Sequence, residues 1–141
     1  MDWYSRFVLA WRLSTTLTTD FVVEAAKEAL NLGIPEVTNS DQGVQITSSD
    51  YISVWNPEET KISMDGRGRA MDNIFTERLW RSVKYDEVYI KNYTTVSEAI
   101  GGIGDYLKDY NYGRLHESLN YQTPAEVYFN KKKGGENIVL V

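Results

Sequence analysis

Val37-Thr38-Asn39-Ser40-Asp41-Gln42-Gly43 reads as a short extended stretch that ends on a carboxylate and turns at Gln42-Gly43. A strand finishing there leaves Asp41 at the end of a sheet. A second informative carboxylate, Glu77, follows after 35 intervening residues, in a segment with helical periodicity. With Glu77 at zero and about 100° per residue, Asn73, Arg81 and Lys84 fall within about 40° of it, whereas Phe75, Leu79, Trp80 and Val83 make a separate apolar arc. Glu77 is therefore expected to point away from the core, among cations. Oxygen ligands brought together from a strand end and a helix suit Mg²⁺ or Mn²⁺, and cations beside them suit phosphates. Each carboxylate also has a plainer reading, Asp41 as a turn residue before glycine and Glu77 as a solvated helix side chain. Spacing alone does not choose, because a chain with 20 acidic residues contains many such pairs.

Outward from this stretch the chain alternates strand and helix. Residues 7–13 are apolar nearly throughout and read as a strand. Asp20 is placed to cap a helix over residues 21–30, with Val22, Val23, Ala26 and Leu30 inward, and Gly33 and Pro35 end it. Residues 51–55 read as a short helical piece stopped by Asn56-Pro57, and residues 60–64 as a further strand. The glycines of Asp65-Gly66-Arg67-Gly68-Arg69 make a loop that can bring backbone to a phosphate or serve as an ordinary connection. Two later helices are expected over residues 96–110 and 124–130, started by Tyr93-Thr94-Thr95-Val96-Ser97-Glu98 and by Thr123-Pro124-Ala125-Glu126. The aromatics crowding this region (Tyr106, Tyr110, Tyr112, Tyr121, Tyr128, Phe129) are expected to pack rather than stack on bases. Residues 1–130 read as one core and residues 131–141 as a flexible tail.

The 141 residues, 42% hydrophobic and 25% charged, suffice for one domain with a sizeable core. There is no cysteine and a single histidine, His116, so disulfides, thiolate sites and zinc-type clusters are excluded and any metal must be held by oxygen. The apolar run at residues 7–11 is too short for a signal core or a bilayer span, and a cytoplasmic, membrane-free location is expected. A net charge of −5 argues against a general nucleic-acid binder. Its distribution answers part of that objection: between Lys61 and Lys84 six basic residues face three acidic ones, a local +3 that leaves −8 elsewhere.

Several local sequences carry a more specific signal. Asn39-Ser40-Asp41-Gln42-Gly43, Asp65-Gly66-Arg67-Gly68-Arg69 and Thr76-Glu77-Arg78-Leu79-Trp80-Arg81-Ser82-Val83-Lys84 lie in order. They are flanked by Asp2-Trp3-Tyr4-Ser5-Arg6 near the start and by Tyr110-Asn111-Tyr112-Gly113-Arg114-Leu115-His116 and Thr123-Pro124-Ala125-Glu126-Val127-Tyr128 near the end. Together they closely resemble the integrase-core transposases of bacterial insertion sequences, which share an Asp-Asp-Glu triad with retroviral integrases.

The resemblance implies a ribonuclease H-like α/β fold, a mixed sheet flanked by helices, and two-metal phosphoryl transfer on DNA with Mg²⁺ or Mn²⁺. It makes Asp41 the second carboxylate of the triad and Glu77 the third, both metal ligands, with Lys84, Arg81, Arg78, Arg67 and Arg69 as DNA contacts. The first carboxylate of the family stands in an Asp-hydrophobic-Thr motif on an earlier strand, and Asp2 matches the turn aspartate instead. The chain is thus expected to lack the first two strands, to be catalytically incomplete by itself, and to associate through exposed strand edges with itself, with full-length transposase or with an upstream polypeptide. Leu115 stands where the family's Arg-Pro-His segment has proline. Two other readings stay open at this point: a non-catalytic fragment that binds DNA or transposase, and a decayed remnant.

Overall fold

β1 (Val37–Ser40) pairs in parallel with β2 (Lys61–Met64), Val37 opposite Lys61 and Ser40 opposite Met64. Both strands fall where extended stretches were expected, at residues 37–40 and 60–64, the second starting one residue later. Parallel neighbours need a crossover rather than a tight turn. It carries α2 (Ser49–Ile52), capped by the Ser48 hydroxyl, which accepts from the Tyr51 amide. The helical piece therefore begins and ends earlier than residues 51–55, because Ser48 supplies the cap and the chain turns after Ile52. The strand starts are fastened by the Thr60 hydroxyl, which donates to the Pro35 carbonyl at 2.8 Å, and by the Lys61 amide, which donates to the Glu36 carbonyl at 2.9 Å. The computed structural model describes residues 1–16, 18–41, 43–64 and 74–133. Among these, the two strands are the whole sheet. β1 therefore keeps one edge unpaired, and Asp41 follows its last paired residue.

The expected strand at residues 7–13 joins no ladder among the described residues. What it keeps is the alternation of a strand. Phe7 and Leu9 are buried with Ala125 and Tyr128, while Val8 between them is buried with Leu79, Val83, Ile103, Leu107 and Tyr110. The extended chain thus runs between two apolar clusters and feeds both. In place of a neighbouring strand, the Asn111 side chain satisfies its backbone: the Val8 amide donates to Asn111 Oδ1 at 2.9 Å, and Asn111 Nδ2 donates to the Val8 carbonyl at 3.0 Å. A primary amide carries the same donor and acceptor as a peptide unit, so one side chain completes what a ladder partner would.

α1 (Asp20–Leu30) turns Ala26 into a third cluster with Tyr51 and Trp55, and Val22, Val23 and Leu30 pack on it, as the periodicity predicts. Its N-cap position is Thr19, without a side-chain cap bond; Asp20 lies in the first turn, where its charge suits the helix N-terminus. α3 (Ile74–Ser82) passes without a break into π-helical turns over Val83–Val88 and then α4 (Tyr89–Lys91), ended by Asn92 in the left-handed region. α5 (Val96–Tyr112) and α6 (Pro124–Lys133) each run further than expected, by two and three residues. α6 thus enters the stretch read as a tail, of which residues 134–141 lie outside the described residues.

Thr95 and Glu98 form a reciprocal capping box at the start of α5, and Thr123 and Glu126 exchange the same bonds at α6. Hydrogen bonds from Thr94 and Thr95 hold the Glu98 carboxyl below the usual carboxylate range, and those from Thr123 do the same for Glu126. The C-terminal aromatics pack: Phe7 stacks on Tyr128 at 4.8 Å and 13° and meets Tyr112 and Phe129 edge-on. No described helix is long and apolar enough to cross a membrane.

Candidate active site

Asp41 is exposed, and its conformation is set by the turn that follows: the Gly43 amide donates to Asp41 Oδ1 at 2.9 Å. A Cβ at position 43 would stand 3.0 Å from that same oxygen. Glycine thus lets the backbone close on the carboxylate. Glu77 is exposed in the first turn of α3. The two carboxylates, 36 positions apart in sequence, line one cavity of about 440 Å³.

The walls of this cavity explain how they meet. Thr38, Asn39 and Ser40 bring the unpaired edge of β1, Ala26 and Tyr51 bring the third apolar cluster, Leu9 and Ala10 bring the extended segment, and Thr76, Glu77 and Trp80 bring one face of α3. The cavity therefore lies between β1, residues 9–10, α1 and α3. Trp80, expected in the apolar arc, is 41% exposed and belongs to the cavity wall instead. Helical spacing places Thr76, Glu77 and Trp80 together at i, i+1 and i+4, and the cavity uses that face. Asn39 adds a polar feature that sequence reading missed: its Nδ2 donates to Ser63 Oγ at 3.3 Å, while Oδ1 is buried without a hydrogen-bond partner. Burial above all, with the nearby Asp41 charge a minor contributor, pushes the Tyr51 hydroxyl pKa up, so the phenol is neutral at ordinary pH.

The basic residues are distributed differently from the expectation. Arg81 and Lys84 are exposed, and neither lines this cavity. Arg81 lies over the Tyr85 ring, its Cζ 5.9 Å from the centroid. Lys84 falls in the π-helical turns, where the i→i+5 spacing departs from the 100° step used to group it with Glu77. Arg78 lies on a second face of α3 with Phe75, Leu79 and Ser82, and opens onto a different cavity. Arg67 and Arg69, and the glycine loop that holds them, lie outside the described residues.

Residues 58–124 match the integrase core domain. The chain is also 28% identical over 130 residues to the transposase for insertion sequence element IS904 of Lactococcus lactis, and 26% identical over 129 residues to the putative transposase InsK for insertion sequence element IS150 of Escherichia coli. A third relative, the transposase for insertion sequence element IS629 of Shigella sonnei, is 27% identical over 128 residues. The chain is similar to the integrase-core transposases of insertion sequences. Each alignment covers 89% of this chain but 51%, 46% and 43% of the three relatives, so the chain spans about half their length.

The integrase-core match takes in Glu77 with α3, α5 and the Arg114-to-His116 segment, and the longer alignments extend it over most of the chain. The small parallel sheet with helices around it is compatible with such a core. Integrase-core domains, which residues 58–124 match, generally depend on divalent metals. Two carboxylates and the unpartnered Asn39 amide oxygen form an oxygen-only donor set, which suits a hard cation such as Mg²⁺ or Mn²⁺. Among the described residues no group of three or more Asp, Glu, His or Cys forms a closed metal site.

Proposed function

We propose that this chain is the catalytic core of a DNA transposase, of ribonuclease H-like architecture, in which Asp41 and Glu77 hold the metal for strand cleavage and strand transfer. The observation that carries this reading is their convergence: a strand-end aspartate and a helical glutamate, singled out as a pair from the sequence, open onto one cavity. Asp41 and Glu77 would hold Mg²⁺ or Mn²⁺, which when bound would supply charge neutralisation at the phosphodiester and acidify the attacking hydroxyl or water.

The chain's own groups do the positioning. The Gly43 amide fixes the Asp41 carboxylate, and the first turn of α3 carries Glu77 to the same cavity. Asn39 Oδ1 has no hydrogen-bond partner, and the exposed Arg81 and Lys84 serve as cations for DNA phosphates, with Arg67 and Arg69 as further contacts. Cleavage puts a water oxygen on phosphorus and releases the 3′-oxygen as a hydroxyl; strand transfer repeats the substitution with that hydroxyl as nucleophile. The family's first carboxylate, which stands on an earlier strand, would complete the donor set beside the edge of β1 that is unpaired among the described residues.

The test is nicking of an end-labelled DNA duplex in Mn²⁺ by this chain, mixed with a polypeptide carrying the first strands of a related integrase core. Asp41→Asn is expected to lower nicking at least about a hundredfold. Undiminished cleavage by that variant removes Asp41 from the reaction.

A further inference from the structure

α3 separates two cavities of opposite character. The second, of about 330 Å³, is lined by Arg6, Arg78, Arg114, His116 and the hydroxyls of Ser82 and Ser118, and no carboxylate lines it. Three guanidiniums converging in a chain of net charge −5 is an unfavourable arrangement without an anion. Arg6 is held there at a cost. Its backbone sits at φ 65, in the left-handed region that non-glycine residues seldom occupy, and its guanidinium lies over the Phe75 ring, Cζ 3.1 Å from the centroid, with Nη1 donating to the Trp3 carbonyl at 2.7 Å. Asp2 does not neutralise it by contact, because the Asp2 carboxylate accepts from the Ser5 amide and hydroxyl. Arg114 is shared with the Tyr106 hydroxyl at 3.0 Å and Asp86 at 3.7 Å. Arg78 is exposed and makes no ion pair among the described residues. His116 Nε2 is buried without a hydrogen-bond partner. Burial and, behind it, the Arg114 and Arg6 charges hold the imidazole pKa below its ordinary value; burial and the Arg78 charge do the same for Arg6.

We propose that this cleft binds one phosphate group of a DNA strand, gripped by Arg6, Arg78 and Arg114 with His116, Ser82 and Ser118 completing the hydrogen bonds. Guanidinium forks match phosphate oxygens in pairs, and hydroxyls accept or donate as the third oxygen requires. Because α3 is the wall between this cleft and the Asp41–Glu77 cavity, the two lie about one helix diameter apart, roughly 10 Å. At about 3.4 Å of rise per nucleotide in a strand, the gripped phosphate stands about three nucleotides from the phosphate that reacts. The identity of the strand rests on the transposase reading, whereas the phosphate chemistry rests on the cleft alone.

Two readouts on the intact chain test it. His116 is the single histidine, so its ring protons give one resolved NMR reporter of the cleft, titrated with inorganic phosphate. DNA affinity is read by fluorescence anisotropy of a labelled 20-base-pair duplex over a series of salt concentrations, with Lys108→Gln as an exposed control. The expected result is a saturable His116 shift that Arg78→Gln removes, together with an affinity loss of about five- to tenfold and a salt slope lower by about 0.9 in that variant. A phosphate-dependent His116 shift with unchanged DNA affinity in Arg78→Gln makes the cleft a site for free phosphate and overturns the strand assignment. No shift and no change in DNA affinity overturns the site altogether. Neither readout needs metal or cleavage, so an inactive Asp41 or Glu77 variant leaves this inference where it stands.

Discussion

Glu77→Gln is expected to lower Mn²⁺-dependent nicking by roughly a thousandfold, about 4 kcal/mol of transition-state stabilisation, while leaving the thermal melt within about 1 °C. The two halves of that expectation have separate causes. Glu77 is exposed in the first turn of α3, with no ion pair among the described residues, so the fold draws little from its charge. Glutamine keeps the size and one carbonyl oxygen but loses the negative charge that a hard divalent cation requires. DNA affinity should hold or rise slightly, since a negative charge is removed near phosphates. Nicking that falls in step with DNA binding or with the melting temperature would place Glu77 in folding or docking instead.

Asn111→Ala is expected to destabilise the chain by roughly 3 kcal/mol, lowering Tm by about 10 °C. Asn111 is 7% exposed and Val8 is 8% exposed, and the variant strands the Val8 amide and carbonyl together. Each orphaned group costs about 1–3 kcal/mol because water does not reach it. Phe7, Val8 and Leu9 feed two of the three apolar clusters, so loosening their backbone disturbs both. Asn111→Asp probes the same contact more narrowly, keeping the acceptor for the Val8 amide and losing the donor to the Val8 carbonyl. A melt unchanged by Asn111→Ala would mean the extended segment is held by packing alone.

The contrast between these residues shows where sequence was informative. Elements stabilised by their neighbours in the chain were legible: α1 by its apolar spacing, α5 and α6 by capping boxes whose Thr and Glu stand three apart, β2 by a short extended stretch between turns; β1, weak by propensity, was placed mainly by the family resemblance. The Asp41 and Glu77 directions followed from the Gln42-Gly43 turn and from helical phase. Residues 7–13 show the limit. Their alternation was readable, but Asn111, which replaces a ladder partner, is 103 positions from Val8 and has no local signature. The π-helical turns after Ser82 likewise shifted Lys84 off the face assigned to it, since helical phase assumes a uniform step. The second cleft was hidden for the same reason. Arg6, Arg78 and His116 stand in three separate motifs, and only folding around α3 brings them to one cavity.

The central claim is that Asp41 and Glu77 serve one metal ion, and paramagnetic broadening by Mn²⁺ tests it most directly. In a two-dimensional amide NMR spectrum of this 16.2 kDa chain, sub-stoichiometric Mn²⁺ is expected to erase the resonances around Asp41 and Gly43 and those around Glu77 at the same concentration, with Asp41→Asn removing both effects. Broadening confined to one of the two segments, or centred on acidic residues elsewhere such as Glu58 and Glu59, would contradict a shared site.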